Sequence, residues 1–473
     1  KKKLIELVAE GQDALQPITQ PFLKHLVVRF AGQVQDDLLP YLTEEQQNED
    51  RIIQLALLAA REACDDARLD RPETMMKTGL VFATCSGPMV TIEKYYSSIK
   101  EGPGLDAGSD FLQRQYYHAA LVIARALGLG GLVTTVTTAC SASTMALGIA
   151  SDLIANHMLD CVLVGGADSL APSTIAGFDG LKGACSDKCA PFSYPVGLNL
   201  GEGASFFVLE SSSHAQKRGA RSYAMVRGYG SSNDAYHSSA PDPSGKGQAL
   251  AMQRALAHAD CQSDDIGYVN AHGTGTKAND KAECKAVKRV FADRYTNLPL
   301  SSTKSAIGHC LGAAGGLECL ATIGCAQKEV YPPTAHSKEV REGCSIDFIP
   351  ESKRPWQSNN LFMNNNFAFG GNNASIIIAP RSEKEECESA DSPCQNRRIF
   401  ITGVGSLSTA GVSAIANDSN LKPRNSDLVA RVPEFNIRSI SRRLDCTHMD
   451  NASRFGTVAS FLSMDNSKIA DRP

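Results

Sequence analysis

The sequence lacks any marked excess of one charge. Its 47 Lys and Arg against 51 Asp and Glu leave a net charge of −4 over 473 residues. That balance favours neither nucleic acid nor an anionic membrane surface as a partner. No apolar run reaches the roughly 20 residues needed to span a bilayer. The opening Lys-Lys-Lys-Leu-Ile-Glu has no long apolar segment or small-residue cleavage site of the signal-peptide kind. None of the 15 cysteines is paired at zinc-finger spacing. Cys185 and Cys189 have no second pair or histidine behind them, so no metal is expected. An odd, scattered set of cysteines in a chain this long suits a reducing compartment, and a cytoplasmic location is expected.

What is present is concentrated in short pieces. Cys140 lies in Thr-Thr-Ala-Cys-Ser-Ala-Ser. Residues 133–139 read as a buried strand, and the small and apolar residues after Cys140 recur at helical spacing. A thiol at such a strand-to-helix turn feels the positive end of the helix dipole, which raises its thiolate fraction. Taken alone, Cys140 reads more readily as a buried structural cysteine. The second piece is Ala-His-Gly-Thr-Gly-Thr, which places His272 in a Gly-rich turn after the apolar strand 266–270. The third is Ser-Thr-Lys-Ser-Ala-Ile-Gly-His, with Lys304 and His309 ahead of a small-residue helix start. The fourth, Asn-Asn-Asn-Phe-Ala-Phe-Gly-Gly-Asn-Asn-Ala-Ser at 364–375, carries a glycine pair for close backbone approach and aromatics able to close a tunnel.

Helix and strand patterns alternate through the first 380 residues. A helix is predicted over 51–67, and strands over 78–84, 161–165 and 203–210. Such alternation argues for a layered α/β architecture.

With these four pieces in this order, the chain resembles a β-ketoacyl synthase of the elongating, two-histidine type, in the thiolase superfamily. The resemblance covers about residues 16–380. It implies a five-layer αβαβα fold built from two similar halves, about 1–215 and 216–380, each with a five-stranded sheet. It implies Cys140 as nucleophile and His272 and His309 as N–H donors to the malonyl thioester. Backbone N–H groups of Cys140 and Phe369 would form an oxyanion hole, and Phe369 would gate the tunnel beside Phe367 and Gly370. Lys304 with Glu318 sets His309 electrostatically or forms a structural ion pair behind the site. Thr274 and Thr276 match positions that bind a phosphopantetheine arm; they also read as turn residues. The implied partners are an acyl carrier protein and a second ketosynthase subunit or domain. No cofactor is implied beyond the arm that carries the substrates. The implied reaction is decarboxylative condensation in fatty acid, polyketide or polyene synthesis. The alternative is a non-catalytic partner resembling a chain-length factor.

The chain departs from the family at several points. Ala368 stands where glycine is usual before the gating phenylalanine, which narrows the torsions open to the gate. In the loop 191–203 the usual Asp is replaced by Ser193, and an Arg is missing; the loop resembles that of polyene-type ketosynthases. Residues 43–50, Thr-Glu-Glu-Gln-Gln-Asn-Glu-Asp, are acidic where basic residues often meet acidic carriers. A thiolase should carry a second cysteine near Gly370 and Gly371, and none is there. An initiating ketosynthase would have Asn in place of His309. Gly403-Val-Gly405 misplaces the third glycine of a dinucleotide fingerprint.

Residues 381–396 are charged and nearly free of large apolar groups, as in a linker. Arg-Ile-Phe-Ile-Thr-Gly at 398–403 then resembles the family's first strand, which the beginning of the chain lacks. Met449-Asp450 opens a stretch similar to the one after Glu49-Asp50, which reads as duplication of a whole domain. The expected organisation is one ketosynthase domain over 1–380 without its first strand, a linker, and over 397–473 the opening of a second. The absent strand is expected to leave an interior gap, filled by residues 399–401.

Overall fold

The computed structural model describes residues 1–18, 25–101, 112–350, 352–357, 361–380, 406–408, 411–413 and 449–466. Its backbone divides into two compact units, Lys1–Ser392 and Pro393–Pro473.

Two sheets organise the first unit. One contains β1 (Gly79–Ala83), β2 (Val133–Val136), β3 (Cys161–Asp168) and β4 (Gly203–Glu210), in the order β2-β1-β3-β4. β1 is parallel to β2 and β3; β4 is antiparallel to β3. The other contains β5 (Ala224–Asn233), β6 (Ile266–Asn270), β7 (Leu300–Ser301), β8 (Leu361–Phe367) and β9 (Asn372–Pro380), in the order β5-β9-β8-β6-β7. β6 is parallel to β7 and β8, and β9 is antiparallel to β8 and β5. Every residue of β1, β3 and β6 is buried. This is the pattern of parallel strands covered on both faces.

The strand period of two sorts side chains into three cores. Leu80, Phe82 and Leu163 point outward against α1 (Arg51–Asp66), meeting Ile52, Ala56 and Ala60. Val81, Ala83, Val162 and Val164 point inward and share a core with Tyr268, Phe362 and Ile376 of the second sheet. Val269, Met363 and Ile377 point to the far side, against α3 (Lys246–His258) and α4 (Lys277–Phe291). The central layer holds α2 (Ala142–Ala155) and α5 (Ala314–Gln327). Both are rich in small residues, which lets them pack closely between two sheets. A Cβ on Gly315 would lie 2.0 Å from Thr144 Oγ1. The architecture is αβαβα, as the resemblance implies.

Two expectations need correction. β2 ends at Val136 rather than Ala139, and its four residues are half-buried rather than buried, because β2 is a sheet edge. The first sheet has four strands among the described residues. The place expected for the family's first strand is also not interior. β5, the first strand of the second half, is the edge neighbour of β9, and the counterpart of β9 is β4. The equivalent place in the first half is therefore the outer edge of β4. A cavity of about 1320 Å³ lies there, lined by β4, the start of β5 and the N-terminal helix Lys2–Ala9. The proposed filler, residues 399–401, lies outside the described residues, as does the linker 381–396.

The second unit contains a short ribbon, Ser406–Ser408 paired with Gly411–Ser413, and a helix, Asn451–Asn466. Asp450 accepts from the Ser453 N–H at 2.7 Å. Asp50 accepts from the Ile52 N–H at 3.0 Å at the start of α1. The two stretches that look alike in sequence thus share an Asp-capped helix start.

Candidate active site

Cys140 sits on a sharp turn between β2 and α2. Ala139 takes φ +50°. The Ser141 hydroxyl bonds back to the Thr138 carbonyl at 2.8 Å and tightens the turn. The turn Ala139–Ser141 runs directly into α2, so the thiol stands at a helix N-terminus, and it is buried. Its pKa is held well below the ordinary thiol value. A hydrogen bond with Cys85 is the largest cause and outweighs burial; the field of His309, a hydrogen bond with His309 and the charge of Lys304 add to it.

His272 follows β6 on a turn wrapped around two buried carboxylates of α4. Glu283 accepts from the N–H groups of His272 and Gly273, both at 2.8 Å. Asp280 accepts from the Gly275 N–H at 3.2 Å and pairs with Arg341. Burial pushes the Glu283 carboxyl up to about 7 against these two donors. His272 is buried and held well below the ordinary imidazole value, first by burial and then by Lys304 and His309. It is neutral at neutral pH. Its Nδ1 has no hydrogen-bond partner among the described residues.

His309 lies between the short helix Lys304–Ile307 and the turn Leu311–Ala313. The Leu311 N–H donates to His309 Nδ1 at 3.2 Å. An accepting Nδ1 carries no proton, so Nε2 carries the N–H. The two imidazoles meet edge to face, with ring centroids 5.5 Å apart.

Lys304 and Glu318 form an ion pair that is almost wholly buried. Asn366 Nδ2 donates to the other Glu318 oxygen at 2.8 Å, and Thr144 of α2 bonds to Asn366 Oδ1. A continuous polar chain thus ties the helix after Cys140 to the segment before His309. Lys304 influences both Cys140 and His272.

The turn Phe369–Gly371 packs against Ala139–Ser141. Gly370 and Gly371 take φ +76° and +73°, which glycine permits. The Phe369 ring is 37% exposed and stacks on Phe178, centroids 5.4 Å apart. Ala368 is extended at φ −103°, ψ 162°, a conformation open to any residue, so alanine causes no strain here. The Phe367 ring lies 6.0 Å from His272 and packs against it. Thr274 and Thr276 stand with hydroxyls 2.9 Å apart, and Thr276 caps α4. Ser193 Oγ accepts from the N–H groups of Lys338 and Glu339 and anchors that loop without an Asp.

Sequence reasoning named the groups in the motifs and missed those behind them. Asp280 and Glu283, three apart at a helix start after a Gly-rich turn, carried a readable signal. Thr144, Asn366 and Cys85 carried none, because each becomes a partner only through the tertiary fold.

Residues 2–215 match the family model for the β-ketoacyl synthase N-terminal domain, and residues 223–338 that for the C-terminal domain. Nodulation protein E of Rhizobium meliloti (strain 1021) is 37% identical over 379 residues, covering 78% of this chain and 92% of that protein. The 3-oxoacyl-[acyl-carrier-protein] synthase 2 of Coxiella burnetii is 32% identical over 381 residues, with the same coverage of 78% and 92%. Among solved structures, the ishigamide ketosynthase/chain length factor superposes with a TM-score of 0.75 at 31% identity, over 81% of this chain and 95% of that one. The chain belongs to the β-ketoacyl synthase family, acyltransferases of the thiolase-like fold.

Proposed function

We propose that this chain condenses a Cys140-bound acyl group with a malonyl thioester presented by an acyl carrier protein. The observation that carries the reading is the meeting of a low-pKa thiol with two imidazoles, one of which is held with its N–H on Nε2. Cys140 attacks the acyl thioester; a new carbon–sulfur bond forms and the carrier thiol leaves. The backbone N–H groups of Cys140 and Phe369 hold the oxyanion. The malonyl thioester then loses carbon dioxide, and N–H donors from His272 and His309 stabilise the enolate oxygen. The enolate carbon attacks the acyl carbonyl, and the Cys140 thiolate departs. The phosphopantetheine arm passes Thr274 and Thr276, and Phe369 swings to admit it. A chain-length-factor-like role would leave the complete Cys-His-His set without use.

Incubation with an acyl thioester and peptide mapping is expected to place the adduct on Cys140. An adduct elsewhere, with Cys140→Ala still condensing, would overturn the assignment. The depressed thiol pKa makes a second expectation. Alkylation of Cys140 by iodoacetamide should change little between pH 8.5 and 6.5, whereas an ordinary cysteine, with a pKa of about 8.5, slows steeply over that range. Rates that fall in parallel with a free-cysteine standard would contradict a resident thiolate.

A dimer is part of the proposal. β2 is an edge, its residues are half-buried, and Leu132 beside it is 47% exposed. Pairing of 132–138 across a two-fold axis would cover that edge. Sedimentation at micromolar concentration should give a dimer, and Thr135→Pro should shift it to monomer. Glu44 and Glu45 are exposed on the acidic stretch, so an acidic carrier docks elsewhere.

A further inference from the structure

Cys85 belongs to none of the four motifs, yet its thiol touches the nucleophile. β1 and β2 are parallel neighbours, paired from Leu80–Val133 to Ala83–Val136. The Thr84 N–H continues the ladder to the Val136 carbonyl at 3.1 Å. Both chains leave the sheet at the same end, and the side chains of Cys85 and Cys140 come into hydrogen-bonding contact there.

The position of Cys85 is fixed. Asp168, at the end of β3, accepts from the N–H groups of Cys85 at 2.8 Å and Ser86 at 2.9 Å, and from the Thr84 hydroxyl at 2.9 Å. It also accepts from the Gly312 N–H at 2.7 Å, just beyond His309. Cys85 is half-buried whereas Cys140 is buried. The strand orders add an independent observation. β1 occupies in its sheet the place that β6 occupies in the other. Cys85 lies two residues past β1, and His272 two residues past β6. Cys85 therefore stands at the first-half counterpart of a site position.

We propose that Cys85 is a resolving cysteine for Cys140, and that the pair closes a reversible disulfide when the enzyme meets hydrogen peroxide. This rests on the assignment of Cys140 as nucleophile. The Cys140 thiolate attacks peroxide, forms a sulfur–oxygen bond and releases hydroxide, giving a sulfenic acid. Cys85 sulfur then attacks Cys140 sulfur; the sulfur–sulfur bond forms, the sulfur–oxygen bond breaks, and water leaves. Two thiols lose two electrons and two protons, and one peroxide becomes two waters. The disulfide blocks acyl transfer and spares Cys140 from irreversible sulfinic acid. A thiol reductant restores both thiols.

The test treats the full chain with a few equivalents of hydrogen peroxide, followed by non-reducing peptide mapping. A disulfide-linked pair of Cys85 and Cys140 peptides is expected, with condensing activity lost and then restored at least fivefold by dithiothreitol. In Cys85→Ser, measured against its own untreated activity, the loss should persist after dithiothreitol, and Cys140 should carry a sulfinic acid. Linkage of Cys140 to another cysteine overturns the proposal. So does equal recovery of Cys85→Ser, or oxidised wild-type chain with a sulfinic Cys140 and a free Cys85. Failure of Cys140 to take an acyl group, with the disulfide still forming, would instead strike the functional reading.

Discussion

Replacing either histidine is expected to lower malonyl decarboxylation by about a hundred- to thousandfold, the usual cost of losing one preorganised donor to a developing oxyanion. The two variants should differ in the other half-reaction. His272→Ala should still acylate Cys140 near the wild-type rate, since His272 influences the thiol only indirectly. His309 makes a hydrogen bond to Cys140 and helps hold its pKa down. His309→Ala should therefore slow acylation as well. His309→Gln, which keeps an N–H donor, should recover part of decarboxylation. Radiolabelled carbon dioxide release and single-turnover acyl transfer would separate these outcomes. Identical losses in both half-reactions for both variants would show that neither imidazole has a distinct task.

Lys304→Ala is expected to be the more damaging change to the fold. It leaves the Glu318 carboxylate buried, with Asn366 as its remaining partner among the bonds described. Breaking one side of a buried ion pair typically costs about 3–5 kcal/mol. The midpoint of urea unfolding should fall well below that of the native chain. The double variant Lys304→Met with Glu318→Leu removes both charges and should recover much of that loss. It should not recover condensation, because the charge that bears on Cys140 and His272 is gone. Recovery of activity along with stability would reduce Lys304 to a structural role. An unchanged unfolding midpoint in Lys304→Ala would mean that the pair is solvated rather than sealed.

The sequence displayed the chemistry better than the framework that aims it. Cys140, His272 and His309 are set in short runs whose glycine and strand signals are local, so their turns could be read. Helix α1 and strands β1 and β3 were legible for the same reason: their periodicity is continuous. Strand order is a different kind of information. Nothing within Gly203–Glu210 says that it is the last described strand of its sheet, so the place of the family's first strand reads as interior rather than at that edge. The partners of the site were hidden likewise. Glu318 was found from the resemblance, but Asn366 and Thr144, which link it to α2, lie 222 residues apart and meet only after folding. The acidic pair Asp280 and Glu283 shows the intermediate case. Its position at a helix start was visible, but its grip on the His272 turn was not.

The matched strand orders of the two halves bear on how the chemistry is divided between them. In each half, reactive groups stand where two adjacent parallel strands release the chain: Cys85 and Cys140 after β1 and β2, His272 and the Lys304–His309 segment after β6 and β7. Two identical halves would carry the same pair of groups on both sides. Such an assembly could not give one face a nucleophile and the other a pair of neutral donors. Two halves within one polypeptide are free of that restriction, because each can differ from its twin. In this chain the labour is divided between the halves: sulfur on one side, nitrogen on the other, on a frame whose strand orders match.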